Sequence, residues 1–435
     1  MKKFFYVALL FVMILSVACS NSGTGNNSGA GTGNTGGGGS GAAAGGDSGA
    51  TPPKDVTIKF WTTVKTAYEE ELVEFNKLYP HINVEAVYMG GYDDMAQKVM
   101  AGVVANDLPH VVQLGQRHGI PQIIDSGKLL PIESFLSDED INDIFPGFWE
   151  RYEYEGVKWT IPFESSNPIL FYNKTMLDAA GLQPPQTWDE MIEVGKKLTN
   201  GDVWGVNWGA DSPWYYQPMV WNRGGDLIAA DGTPQINGKE SYETLKSLQD
   251  LVHVHKIMPP NQMASAAEDF AAGKLALYFR SGAFLETMKK NVGDKFEFDL
   301  AYLPAIQESW VPIGGNALGI FQSDADHEAA SWQLVQYLTS KEHTVEGMKN
   351  YGYIPIRQSA TELQSYKDAL AADPKFKVTI DQTEHLRGQT IHPADGLIWT
   401  EIVNAIEAVH SNASADPQAI LDKIQAEVEA YMKDY

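Results

Sequence analysis

Residues 56–114, VTIKFWTTVKTAYEEELVEFNKLYPHINVEAVYMGGYDDMAQKVMAGVVANDLPHVVQL, carry the periodicity that decides the fold. Val56 to Trp61 alternates apolar and polar residues, the two-residue period of a strand. Thr66 to Tyr79 changes to helical spacing, with Leu72, Phe75 and Leu78 on one face, and Pro80 stops it. Ile82 to Met89 alternates again, Asp93 to Asn106 is helical, and His110 to Leu114 is a third short strand. Strand, helix, strand, helix, strand predicts a parallel sheet covered by helices on both faces.

Further along, Thr187-Trp188-Asp189-Glu190 has the form of a capping box opening a helix through Leu198. Asp324 to Leu338 reads as a helix with Ala330, Leu334 and Leu338 on one face. Asp416-Pro417 is a cap followed by proline at the first helical position, and Ile420, Ile424, Val428 and Tyr431 continue it. No internal repeat is present. The body from Lys54 onward, about 380 residues, exceeds one hydrophobic core, so an α/β protein of two lobes is expected. Ligands of such folds sit at strand ends or between domains.

The beginning of the chain has a different character. Lys2 and Lys3 precede an apolar run from Phe4 to Leu15, too short to span a bilayer, which predicts a signal peptide over residues 1–18. The run ends in Leu15-Ser16-Val17-Ala18-Cys19, which resembles the lipobox of bacterial lipoproteins, with Ser16 where leucine is usual. Cys19 is the single cysteine, so it has no internal disulfide partner, and a diacylglycerol on its sulfur is the expected use. Residues 19–53 are nearly all Gly, Ser, Asn, Ala and Thr, a composition that cannot bury apolar surface and predicts a disordered linker. Its mean span is about 30 Å. The expectation is a body held at the extracellular face of the cell membrane through the lipid alone.

The formal charge of −24 argues against nucleic-acid binding and against adhesion to anionic lipid. The chain holds 11 Trp, 19 Tyr and 17 Phe, and Trp208, Trp214, Tyr215, Tyr216, Trp221, Trp310 and Trp399 fall where loops are expected. Aromatic faces stack on the apolar faces of sugar rings, although each tryptophan could equally be a core residue. The run Trp214-Tyr215-Tyr216 is the hardest of these to bury whole. No nucleophile elbow, metalloprotease histidine pair or Walker loop occurs, and His253 and His255 would diverge on a helix. Neither a metal nor a cofactor is expected, nor an enzyme. A glycosidase pair is defined by spatial separation and stays open at this level, as does an adhesin.

The segment Ile161-Pro-Phe-Glu-Ser-Ser-Asn-Pro-Ile-Leu-Phe-Tyr-Asn-Lys174 strongly resembles the family of extracellular solute-binding proteins of carbohydrate ABC importers. Within it, the glycerol-3-phosphate binders look most similar. The likeness continues in Gly181-Leu-Gln-Pro-Pro-Gln-Thr-Trp-Asp-Glu190 and returns at Gly314-Gly315 and at Tyr351-Gly-Tyr-Ile-Pro-Ile356, covering about residues 56–435. It implies a two-lobed periplasmic-binding-protein-like fold of type II, the maltose-binding type, with the ligand cleft between lobes. Residues 54–164 and 300–325 would form the first lobe, and 165–299 and 326–435 the second. Crossings are expected near Glu164–Asn167, near Asp299–Leu303 and soon after Gly319. The implied partners are a small carbohydrate and the permease subunits of the importer, with the protein itself a monomer.

Carried over by position, the resemblance implies ligand contacts at Tyr92, Ser166, Ser281, Gly315 and Tyr353. A glutamate of the glycerol-3-phosphate binders aligns with Gln116 or, in another register, with His118. Their phosphate-holding arginine aligns with Trp399, a residue suited to stacking on a ring rather than to bidentate phosphate binding. Trp214 joins the set from the aromatic cluster. These departures favour a neutral sugar or oligosaccharide over the alternative, a glycerol-phosphate or glycerophosphodiester, which would need Arg117, Arg280 or another cation.

Overall fold

The computed structural model describes residues 54–115, 119–209, 212–260 and 265–435. The expected signal peptide, Cys19, the linker through residue 53, and Gln116, Arg117 and His118 lie outside the described residues. The body from Pro53 onward forms one compact unit.

Its path starts as the periodicity predicts: β1 (Val56–Thr62), α1 (Glu69–Leu78), β2 (Ile82–Tyr88), α2 (Tyr92–Ala105) and β3 (Val111–Gly115). After β4 (Leu129–Leu130), β5 (Ile161–Ser166) and β6 (Pro168–Asn173) follow one another across a single residue, Asn167. Next come α3 (Trp188–Leu198), β7 (Trp204–Asn207), α4 (Pro213–Trp221), α5 (Lys239–His253), β8 (Leu275–Ser281), α6 (Leu285–Val292) and β9 (Phe298–Ala301). The chain ends with β10 (Gly314–Phe321), α7 (Ala325–Leu338), α8 (Lys341–Tyr351), α9 (Asp395–Ser411) and α10 (Pro417–Asp434).

Two main sheets result, one for each lobe, beside two short two-stranded ones. The first runs β2-β1-β3-β10-β4, with β5 also pairing β10. β1 pairs parallel with β2 and β3, and β10 alone runs against the rest, antiparallel to β3, β4 and β5, a departure from the wholly parallel sheet expected. A strand entering from far along the chain is free to arrive in either direction, because no short crossover fixes it. The second sheet runs β9-β6-β8-β7, and every residue of β6 (PILFYN) is buried, as a central strand covered on both faces requires. Phe171 packs within 6.5 Å, centroid to centroid, of Phe270, Tyr278 and Phe298.

Caps read from the sequence are present. Thr187 accepts from the backbone of Glu190, while the Glu190 carboxylate turns to the backbone of Gln186 rather than that of Thr187. Asp324 caps α7 and Asp416 caps α10. Helix α7 packs on β1 and β10, so the chain is still against the first sheet at Leu338, later than an exit soon after Gly319. Helices α4, α5, α9 and α10 pack together as one layer.

The aromatic residues assigned to loops are mostly helical. Trp214, Tyr215, Tyr216 and Trp221 belong to α4, and Trp399 to α9. Tyr215, Tyr216, Trp221 and Trp208 are buried core residues; the sequence places them between proline and glycine signals, and Pro213 starts a helix there instead of a loop.

His410, on α9, is 1 % exposed, and burial holds its imidazole down at about 4, with His253 adding repulsion. Its folded value lies below the unfolded one near 6.5, so the unfolded chain takes up this proton first as pH falls. Stability therefore declines between pH 6.5 and 4. Denaturant titrations at pH 7, 5.5 and 4 should give a pH slope smaller by about one proton in His410→Gln than in the parent chain; equal slopes would contradict this.

Candidate ligand site

The cleft is built around an irregularity where β5 meets β10. Gly314 pairs with Ser166 and Asn316 with Phe163, so Glu164 and Ser165 together oppose Gly315 alone. This is a β-bulge, with two residues on one strand against one on the other. Glu164 takes a left-handed φ of 48° and Gly315 one of 103°. A Cβ at position 315 would stand 2.2 Å from the Glu164 carbonyl oxygen, so only glycine fits. One residue later, Asn167 carries the chain into the second sheet, held by its amide donating to Thr379 O at 2.9 Å. Its carbonyl accepts from Gly282 N at the same distance.

Around this point lies a cavity of about 400 Å³, within the range of small-molecule sites. Tyr92, Ser166, Trp214, Ser281, Gly315, Tyr353 and Trp399 all line it. Seven of the eight positions named from the sequence thus converge on one space; Gln116 lies outside the described residues. Glycines let the aromatics approach. Tyr92 lies on Gly115, where an added Cβ would meet its ring at 2.5 Å, and Trp214 stands over Gly314 at 2.4 Å by the same measure. The Trp214 indole donates to Ile313 O at 3.2 Å and meets the buried Tyr215 edge to face at 5.0 Å. Ser281 Oγ donates to Ser166 Oγ at 3.0 Å, joining the ends of β8 and β5.

The wall nearest the hinge is polar. Glu164 accepts from Tyr68 OH at 2.7 Å, from Gln113 Nε2 at 3.0 Å and from Asn316 Nδ2 at 2.8 Å. Burial, with the charge of Glu71, holds its pKa above the usual carboxylate value, although those three donors oppose the rise. Tyr92 reaches Asn316 Nδ2 at 3.3 Å; burial, then Glu164, raises its phenol to about 12. Tyr353 is pushed well above the usual phenol value by burial and then by the charge of Glu164. Arg280 also lines the cavity, its guanidinium 5.1 Å over the Phe284 ring.

Glu164, Gln113 and Asn316 were not singled out from the sequence as functional residues. Glu164 stands inside the IPFESSNPILFYNK segment, and a carboxylate in a run of buried strand residues was the available signal. Among the described residues, no group of three or more His, Cys, Asp or Glu is placed to hold a metal ion. No helix among them is long and apolar enough to cross a membrane.

The chain belongs to the bacterial extracellular solute-binding protein family, whose model matches residues 72–378. It is 24% identical over 319 residues to the maltotriose-binding protein of Pyrococcus abyssi, covering 71% of this chain and 68% of that one. It is also 24% identical over 355 residues to the sn-glycerol-3-phosphate-binding periplasmic protein of Pectobacterium atrosepticum, covering 75% and 79%. Among solved structures, UgpB of Mycobacterium tuberculosis in complex with glycerophosphocholine superposes with a TM-score of 0.78 at 25% identity, covering 87% of this chain and 99% of that one. The maltose/maltodextrin-binding domain of Bdellovibrio bacteriovorus bound to maltotriose gives 0.75 at 22%, covering 87% and 100%. The fold is the two-lobed maltose-binding type, and the role is solute binding.

Proposed function

We propose that the protein captures a neutral sugar or short oligosaccharide in this cleft and delivers it to the permease of an ABC importer, acting as a monomer without catalysis. The observation that carries the reading is the pair of tryptophans, Trp214 and Trp399, on one cavity with Tyr92, Tyr353, Ser166 and Ser281. Flat apolar faces beside hydroxyl groups match a sugar ring, which has an apolar face and an equatorial fringe of hydroxyls. The maltotriose binders among the relatives and solved structures support the same cargo class. A second reading, a glycerophosphodiester, draws support from Arg280 on the cavity and from the glycerophosphocholine complex.

The two sheets are proposed to close on each other about residues 164–167, with 54–164 and 300–338 in one lobe and 165–299 and 339–435 in the other, so that helix α7 moves with the first. Closure of this kind concentrates its rotation in a few crossing residues. The anchor is proposed at Cys19, with residues 20–53 as tether, placing the body outside the cell membrane.

Three measurements check these readings. A thermal-shift screen against mono- and oligosaccharides should find a stabilising ligand, recovered chemically unchanged after incubation. Trp399→Ala should then weaken it by about 1–3 kcal/mol by calorimetry. A panel that fails on every sugar yet responds to glycerophosphocholine would transfer the case to the second reading. Separately, Cys19→Ala should move the protein from the membrane fraction to the soluble fraction; retention on the membrane would refute the anchor.

A further inference from the structure

The polar wall behind the cleft has a defined protonation state. Thr63 N–H, which can only donate, lies 2.9 Å from Gln113 Oε1, so the amide of Gln113 is fixed with its Nε2 toward Glu164. Thr62 and Thr63 hydroxyls donate to the same Oε1, at 2.7 and 3.1 Å. The two hydrogens of Gln113 Nε2 then go to Tyr68 OH at 2.9 Å and Glu164 Oε2 at 3.0 Å. Tyr68, already accepting, gives its own hydrogen to Glu164 Oε1 at 2.7 Å. Both carboxylate oxygens therefore accept hydrogen bonds, as an ionised carboxylate does. Glu71, the other charge acting on it, is of the same sign.

This charge reaches the cleft through two of its lining residues. Asn316 donates both to Glu164 Oε2 and to the Tyr92 hydroxyl, and the Glu164 charge also acts on the Tyr353 phenol. A ligand hydroxyl can donate to a phenol oxygen of this wall, whereas a phosphate oxygen can only accept. A negative charge beside the wall repels an anion further.

We infer that Glu164 is a specificity-determining residue: its carboxylate, hydrogen-bonded at both oxygens, sets the cleft for neutral polyhydroxy ligands and rejects phosphate monoesters. The inference rests on the cleft being the ligand site proposed above. Glu164 acts through Tyr92, Asn316 and Tyr353, so its role is positioning and charge selection rather than direct contact.

The test uses the purified protein with sn-glycerol-3-phosphate and maltotriose as probes, read by calorimetry. Glu164→Gln removes the charge while keeping the size of the side chain. Its affinity for glycerol-3-phosphate should rise about tenfold or more over the parent chain, while Glu164→Asp, keeping the charge, should retain the rejection. A residue of merely structural importance would weaken both probes together in Glu164→Gln, and that result would overturn the assignment. So would an unchanged affinity for glycerol-3-phosphate in Glu164→Gln. If Glu164→Gln fails to fold by thermal melt, the parent chain still decides: a Kd for glycerol-3-phosphate below about 0.1 mM contradicts the rejection, and one weaker than that supports it. Failure of maltotriose to bind, together with the expected gain for glycerol-3-phosphate, would sink the sugar reading and leave Glu164 with its role.

Discussion

Much of this protein's functional geometry depends on one backbone irregularity, the two-against-one pairing of Glu164 and Ser165 with Gly315. A regular ladder would keep β5 in line with β10 to its end. The bulge bends the chain, and after Asn167 the next residues enter the other sheet. The left-handed φ of Glu164 and the glycine at 315 are what that bend requires. Backbone strain of this kind persists where its surroundings hold it in place. Here the surroundings are the hydrogen bonds from Tyr68, Gln113 and Asn316, so fixing the backbone and burying a carboxylate are the same structural event.

Cleft residues then follow from where strands end. Ser166 closes β5, Ser281 closes β8 and Gly314 opens β10, so a serine pair and a bare backbone lie side by side at the junction. Tyr92 is the first residue of α2 and Trp399 lies in the second turn of α9, brought from opposite ends of the chain. The combination is an amphipathic lining beside the single residue, Asn167, by which the chain passes from one sheet to the other.

The early α/β rhythm was legible because half-buried strands and amphipathic helices impose their periods locally. Helix caps at Thr187 and Asp416 were legible for the same reason: their side chains accept from backbone N–H groups two or three residues on. Trp214 and Trp399 were recognisable as candidates, yet their placement on helices was not, since α4 is apolar on all sides and carries Pro218 within it. The antiparallel entry of β10 and the late departure of α7 depend on contacts some 200 residues apart, which no local pattern encodes. Glu164 was visible as a letter within a motif. Its meaning required the orientation of the Gln113 amide, a fact of three dimensions.

The central claim is that ligand binds at the bulge and closes the two sheets about it. Hydrogen–deuterium exchange with and without maltotriose tests this most directly. The account predicts slowed exchange in four segments, 90–94, 163–168, 313–317 and 351–354, with little change at the outer edges of either sheet. Slowed exchange confined instead to 70–74 and 337–350, which line a neighbouring cavity of about 290 Å³ behind Tyr353, with 90–94 and 313–317 unchanged, would contradict it.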